Sequence, residues 1–168
     1  MNHYWVEKDT FLAGEYPRDN DEKTSQAKID ALVQLGVSAF IDLTHEADGM
    51  EPYTHFFEAH QSRGISYQRF PIPDFSVPES DRVTEEILDA IDEHIARGRV
   101  VYVHCWGGVG RTGLIVGCWL ARHGFPGKAA LFRLRELWGQ NPKSRFRRSP
   151  ETDAQERYIT EWRDNNDG

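Results

Sequence analysis

One stretch of the sequence combines a cysteine and an arginine with three glycines between them. It reads His104-Cys105-Trp106-Gly107-Gly108-Val109-Gly110-Arg111-Thr112-Gly113. A strand-like run precedes it at 99–103, and an apolar, helix-like run follows it at 114–122. A strand, a glycine-rich turn and a helix N-terminus in this order point backbone N–H groups inward and bind phosphate-like anions.

Two side chains of this stretch suit attack on a phosphoryl group. A cysteine at the floor of such a nest has its thiolate stabilised, so Cys105 is a candidate nucleophile. The planar guanidinium of Arg111 offers a fork for two phosphate oxygens. We therefore expect a cysteine nucleophile aimed at a bound phosphoryl group.

Composition narrows the class of protein. The 168 residues suit one domain, which we expect to span 1–168. A net charge of −7 argues against a nucleic-acid partner. No run of about 18 apolar residues is present, and the N-terminus lacks the pattern of a signal peptide, so we expect no membrane partner. The two cysteines cannot build a disulfide scaffold, and we expect a cytoplasmic protein.

Strand and helix patterns alternate along the chain. The predicted strands are 4–6, 11–17, 38–43, 65–70 and 99–103. The predicted helices are 23–35, 52–63, 83–95, 113–123, 127–138 and 151–162. This alternation predicts an α/β domain with a mostly parallel central sheet of about five strands and helices on both faces.

An acidic residue, Asp74, lies in a stiff, proline-rich loop at 71–78. In a parallel sheet the functional loops gather at the carboxyl ends of the strands, so this loop and Cys105 should share one edge. Asp74 is then a candidate proton donor to a leaving group, although it could also be a simple turn residue. The neighbouring carboxylates Glu79 and Asp81 instead suit the N-terminus of a helix.

The motif and its context resemble a known family. His104-Cys105-x5-Arg111-Thr112-Gly113 resembles the signature of the protein tyrosine phosphatase superfamily, and the resemblance covers most of the chain. The short chain, with Asp74 lying 31 residues before Cys105, is similar to the compact dual-specificity branch. The resemblance implies that Cys105 is the nucleophile, Arg111 the phosphate clamp and Asp74 the general acid. Thr112 would supply a hydroxyl beside the sulfur.

The resemblance also implies how phosphate is bound and cleaved. The backbone amides of the loop would hold the phosphate oxygens together with Arg111, which assigns substrate binding to Trp106, Gly107, Gly108, Val109 and Gly110. The Cys105 thiolate would form a phosphocysteine, and Asp74 would protonate the leaving group and then activate water. Neither a metal ion nor a cofactor is expected, because the loop and Arg111 supply the positive potential.

The expected partner is a phosphorylated protein or peptide. Lipid-directed members of the superfamily tend to place lysines in the loop, and residues 106–110 contain none. A phosphoinositide or another small phosphomonoester stays open as an alternative substrate. Tyrosine-specific members are longer and have a segment that deepens the pocket, so a shallow site for phosphotyrosine, with phosphoserine and phosphothreonine as further substrates, is the expectation here. The natural substrate and the oligomeric state stay open.

Rival functions use the same residue types. Sulfurtransferases and arsenate reductases also place a cysteine in an anion-binding loop, although low-molecular-weight reductases carry it near the N-terminus. A non-catalytic phosphate-binding module needs no nucleophile, which argues against it.

Several other residues carry weaker signals. His104 and Cys118 are expected to be structural. Gln155 is similar to a late glutamine that positions water in some members of the superfamily, and it is not counted as a site residue. Within the basic cluster Lys143–Arg148, Arg147 and Arg148 are either part of a solvated loop or a contact for an acidic substrate.

Overall fold

Residues 1–164, which the computed structural model describes, contain five strands and five α-helices. The strands are β1 His3–Glu7, β2 Phe11–Gly14, β3 Val37–Asp42, β4 Ser66–Arg69 and β5 Val100–His104. The helices are α1 Glu22–Gln34, α2 Asp81–Ala96, α3 Arg111–Arg122, α4 Lys128–Trp138 and α5 Asp153–Glu161. Short 3-10 helices occupy Glu46–Asp48, Thr54–Arg63 and Pro142–Arg145.

The strands form one mixed sheet in the order β1-β2-β5-β3-β4. Strands β2, β5, β3 and β4 are mutually parallel, and only the edge strand β1 runs antiparallel. The predicted mostly parallel α/β sheet of about five strands is therefore confirmed. In this register His104 pairs with Gly14 on one side and Asp42 on the other, so three strands end at one edge beside Cys105.

Side chains alternate between two apolar layers along the central strands. Ala13, Ile41 and Val103 face the layer formed by α2, α3, α4 and α5. Leu12, Phe40 and Tyr102 face α1 and the 3-10 helix Thr54–Arg63. Burial on both faces explains why these strands are almost continuously apolar, and it places helical elements on both sides of the sheet.

Several element boundaries differ from the predicted ones. The predicted helix at 52–63 is a 3-10 helix, Thr54–Arg63, with non-helical backbone at His60. Helix α3 begins at Arg111 rather than Gly113, because Gly110 already has right-handed helical backbone. Arg111 and Thr112 therefore lie in the first turn of α3, directly after the loop. None of the helices within residues 1–164 is long and apolar enough to cross a membrane.

Gly108 allows the loop after β5 to pack closely against β2. Its φ angle is +73°, in the left-handed region that glycine tolerates. A Cβ at this position would lie 2.5 Å from the carbonyl carbon of Gly14 and 2.6 Å from its oxygen. Both the backbone conformation and the space therefore require glycine here.

We expect Gly108→Ala to destabilise the protein more than Gly98→Ala. Gly98 has a φ of +77° and open space around a Cβ, so its substitution costs about 1–2 kcal/mol of backbone strain alone. At Gly108 the backbone of Gly14 must also move. Chemical denaturation of the two variants measures the difference, and equal free energies of unfolding would contradict the close packing.

Candidate active site

The loop between β5 and α3 holds the Cys105 sulfur at the carboxyl edge of the sheet. Cys105 is buried, and the Gly108 amide donates a hydrogen bond to its Sγ over 3.3 Å. The amides of Val109 and Gly110, both buried, donate no hydrogen bond to residues 1–164. Buried backbone donors are rarely left without partners. The two free amides can therefore donate hydrogen bonds to an anion bound beside the sulfur.

A small cavity of about 50 Å³ opens onto this loop. Ten residues line it: Asp74, Phe75, Cys105, Trp106, Gly107, Val109, Gly110, Arg111, Arg147 and Glu151. The structure thus brings Asp74 of the loop after β4 together with Cys105 and Arg111, as the parallel sheet predicts. Trp106 lies exposed at the rim of the cavity.

Arg111 is buried to 1% exposure, and three acceptors surround its guanidinium. Nη1 donates to Asp48 Oδ2 over 2.6 Å and to the carbonyl oxygen of Ile72 over 2.9 Å. Nη2 lies 3.2 Å from Asp74 Oδ1. Burial alone lowers the pKa of Arg111, but Cys105 and the two carboxylates outweigh it and raise that pKa. The guanidinium is therefore a fixed positive charge beside the sulfur.

Asp74 stands at the mouth of the cavity with its side chain 33% exposed. Its Oδ1 accepts a hydrogen bond of 2.9 Å from the amide of Phe75, whose φ is +58°. The carboxylate is thus open to solvent while it stays beside Arg111. A phosphate group that engages Arg111 would compete with Asp74 for the guanidinium.

Asp48 is a site residue that the sequence analysis did not identify. It lies on the 3-10 helix Glu46–Asp48, where its Oδ2 also accepts from the His45 amide over 2.9 Å. The side chain of His45 in turn caps the amide of Ala47. The loop after β3 lies at the carboxyl edge of the parallel sheet, where functional loops gather, but 63 residues of sequence separate Asp48 from Arg111. Nothing in the local pattern points to that ion pair.

His104 has the structural role that the sequence predicts. Its ring is fully buried between Tyr53, whose hydroxyl is 2.6 Å from Nε2, and the carbonyl of Cys105, which is 3.1 Å from Nδ1. Burial lowers the pKa of His104, against the opposing effect of the Asp42 carboxylate. A neutral ring that donates from Nδ1 and accepts at Nε2 satisfies both contacts, and it holds the start of the loop.

Two side chains from the segment before α5 donate hydrogen bonds to carbonyl groups of the loop between β5 and α3. Lys143 Nζ donates to the Gly107 carbonyl over 2.7 Å and pairs with Glu15 Oε2 at 3.0 Å. Ser149 Oγ donates to the Val109 carbonyl over 2.6 Å. Both contacts satisfy loop carbonyls with side chains that do not line the cavity. The basic cluster Lys143–Arg148 therefore contains at least one structural member.

Three further residues from the sequence analysis have clear positions. Thr112 is buried, and its hydroxyl has no hydrogen-bond partner within residues 1–164. Gln155 is also buried: it caps α5 at Thr152 and donates to the Ser76 carbonyl, so its amide is committed to structure. Cys118 lies in the core, and burial raises the pKa of its thiol.

The match to a family model decides the family of this chain. Residues 2–161 match PTP-SAK, described as a Swiss Army Knife protein, DSP-PTPase phosphatase domain. The chain belongs to this family. The resemblance to the protein tyrosine phosphatase superfamily is thus confirmed.

Individual relatives share about a quarter of their residues with this chain. The chain is 26% identical over 162 residues to 067L, a candidate tyrosine phosphatase of Invertebrate iridescent virus 3. The alignment covers 92% of this chain but only 62% of that protein's length. The crystal structure of Tk-PTP in its active form shares the fold with a TM-score of 0.74 at 23% identity, covering 95% of this chain and 94% of that one.

A second solved structure, PTPMT1 in complex with PI(5)P, has a TM-score of 0.70 at 16% identity. It covers 95% of this chain and 92% of that one. At this identity the likeness concerns the fold, and it does not identify the substrate of the present chain.

We expect Asp48→Asn to weaken phosphate binding at the active site. Without the carboxylate, Arg111 loses its shortest ion pair and its fixed orientation, which lowers kcat/KM roughly 10- to 100-fold. Steady-state kinetics with an aryl phosphate, together with competitive inhibition by inorganic phosphate, measures the effect. Glu46→Gln on the same 3-10 turn is the matched control, because Glu46 is exposed. Equal phosphate affinity in both variants would show that Asp48 does not position Arg111.

Proposed function

We propose that this domain removes phosphate from phosphotyrosine in proteins through a phosphocysteine intermediate. The observation that carries the proposal is the convergence of three groups on one small cavity: the buried Cys105 sulfur, the fixed Arg111 guanidinium and the Asp74 carboxyl group. A sulfur nucleophile, a positive clamp and a proton donor are the parts that phosphomonoester cleavage through cysteine requires.

The proposed first step transfers the phosphoryl group to the enzyme. The Cys105 thiolate attacks phosphorus, so an S–P bond forms while the P–O bond to the tyrosine oxygen breaks. Asp74 donates its proton to the departing oxygen, which leaves as neutral tyrosine. The free loop amides and Arg111 hold the three equatorial oxygens and stabilise their charge in the transition state.

The second step regenerates the enzyme. Asp74, now ionised, accepts a proton from water while the water oxygen attacks phosphorus. The S–P bond breaks, and the products are inorganic phosphate and the Cys105 thiolate. Thr112 is a candidate donor to that thiolate, because its buried hydroxyl has no hydrogen-bond partner within residues 1–164.

Aromatic side chains at the cavity support an aryl phosphate as substrate. Phe75 and Trp106, both exposed, flank the entrance where the ring of phosphotyrosine would lie. A wider groove of about 530 Å³ continues from the cavity past Met50 and Pro73. Its size and partly apolar lining suit the residues next to phosphotyrosine in a polypeptide.

A phosphoinositide is the second candidate substrate. The structure of PTPMT1 with PI(5)P shares this fold, and a cationic side chain, Arg147, lines the cavity. Residues 106–110 contain no lysine, which argues against a phosphoinositide. The net charge of −7 also opposes approach to an anionic lipid surface. A protein substrate therefore fits the site better.

We expect Cys105→Ser to abolish turnover and Asp74→Asn to lower kcat. The Asp74 effect should approach ~10²–10⁴-fold for phosphotyrosine and be smaller for 4-nitrophenyl phosphate, because nitrophenolate is a better leaving group. Phosphate release measures both, and rapid quench with labelled substrate should trap a phosphoenzyme only when Cys105 is present. Cys118→Ser is the control, and it should retain activity. Ordinary turnover by Cys105→Ser would rule out the mechanism.

We expect a phosphotyrosine peptide to be cleaved with a higher kcat/KM than either a phosphoserine peptide or a phosphatidylinositol monophosphate in vesicles. The phosphotyrosine side chain is longer than phosphoserine, so it reaches the buried sulfur while its ring contacts Phe75 and Trp106. Malachite-green detection of released phosphate compares the three substrates. A preference for the lipid would favour the second candidate substrate.

A further inference from the structure

We infer that Arg147 forms an anion subsite beside the catalytic cavity and selects peptides with an acidic residue next to phosphotyrosine. The inference rests on the proposed function, because it concerns the residues that flank the phosphorylated side chain. It starts from the position of Arg147 on the wall of the same cavity as Cys105 and Arg111. None of the steps of phosphate cleavage described above uses this residue.

One arm of the Arg147 guanidinium is held and the other is free. Nη2 donates to Glu151 Oε2 over 2.6 Å. Nη1 donates no hydrogen bond within residues 1–164, and it lies 3.8 Å from the point where a Cβ on Gly107 would stand. The backbone is anchored as well, because buried Trp138 donates its indole N–H to the Arg147 carbonyl over 2.9 Å. A free donor pair is therefore presented at the rim of the phosphate-binding loop.

The neighbouring basic residues do not share this position. Lys143 is committed to Glu15 and to the Gly107 carbonyl. Arg148 pairs with Asp153 at 3.0 Å and Glu156 at 3.1 Å, and it does not line the cavity. Arg147 and Arg148 are similarly exposed, at 47% and 52% of their side chains. The two arginines differ in their ion-pair partners and in whether they line the cavity. Arg148 is therefore a matched control for Arg147.

Glu151 keeps the subsite neutral when no substrate is bound. Its carboxylate packs over Gly110, where a Cβ would lie 2.2 Å from Oε1. A carboxylate in the substrate can bind the free Nη1 arm while Glu151 holds the other, as a guanidinium accepts two planar partners. Glu151 would also repel that carboxylate, so the net preference depends on the attraction by Arg147 exceeding the repulsion.

An acidic peptide fits this subsite better than a second phosphate on a lipid headgroup. The subsite offers a single guanidinium that already pairs with Glu151, and Glu151 repels a singly charged carboxylate less than it would repel a phosphate dianion. The groove past Met50 and Pro73 leaves the cavity at the Asp74 and Trp106 side and provides a path for an extended chain. We therefore assign the anion to a side chain of the phosphopeptide.

The test compares two phosphotyrosine peptides that differ only by Glu or Gln beside the phosphotyrosine, on either side in turn. The measured quantity is the ratio of kcat/KM for the Glu peptide to that for the Gln peptide within each variant. Any loss of activity common to both peptides cancels in this ratio. We expect a ratio of about five for the wild type at one of the two positions, since a partly exposed ion pair contributes up to about that factor.

Arg147→Gln should bring the ratio to one or below, whereas Arg148→Gln should leave it at the wild-type value. Glu151→Gln should raise the ratio, because the guanidinium loses its competing carboxylate. The double variant R147Q/E151Q has no charge at either position and should show a ratio near one. If the double variant instead shows the raised ratio of E151Q, the ratio does not depend on Arg147 and the subsite assignment is wrong.

Other outcomes separate this inference from the proposed function. If the wild type cleaves both peptides equally well at both positions, or if Arg147→Gln leaves the ratio unchanged, the subsite is refuted and the phosphatase function stands. If the wild type cleaves neither peptide, both proposals fall. If a bisphosphorylated inositol lipid in vesicles is preferred and that preference depends on Arg147, the anion belongs to a lipid and the peptide assignment is overturned.

Discussion

The guanidinium of Arg111 joins the parts of the molecule that make up the site. It extends from the first turn of α3, is nearly inaccessible to water, and contacts Asp48, the Ile72 carbonyl and Asp74. These acceptors lie on two loops, one after β3 and one after β4. A buried cation without such partners would be strongly destabilising, so the loops and the helix are held in one arrangement.

The same arrangement makes the site complementary to phosphate. The loop carbonyls of Gly107 and Val109 are engaged by Lys143 and Ser149, outside the cavity. The Gly108 amide donates to the Cys105 sulfur, and the Arg111 guanidinium lines the same cavity. A dianion therefore meets donors that are already oriented, which is how electrostatic stabilisation in an enzyme avoids the cost of reorganisation. The free site holds Asp74 against Arg111, so a bound phosphate and the Asp74 carboxylate would compete for one guanidinium.

Much of this could be predicted from local sequence. The hydrophobic alternation of the strands and the periodicity of the helices predicted the α/β sheet, because each pattern reflects burial of neighbouring residues. Elements with weak periodicity were predicted less well. The segment Thr54–Arg63 contains few buried residues and forms a 3-10 helix. The sequence predicted that α3 begins at residue 113, two residues later than its observed start at Arg111. Glycine at 110 and 113 has a low helix propensity, so the pattern there does not indicate a helix.

The sequence by itself determined the chemistry of the loop, since Cys105, the glycines and Arg111 are close neighbours in the chain and their conformation follows from a strand, a turn and a helix. Tertiary structure decided which distant residues complete the site. Asp48 reaches Arg111 across 63 residues, and Arg147 reaches the cavity although the adjacent Arg148 does not. Which distant residues reach the site depends on how separate elements pack and on which ion pairs form once the charged groups are buried. No spacing along the chain carries that information.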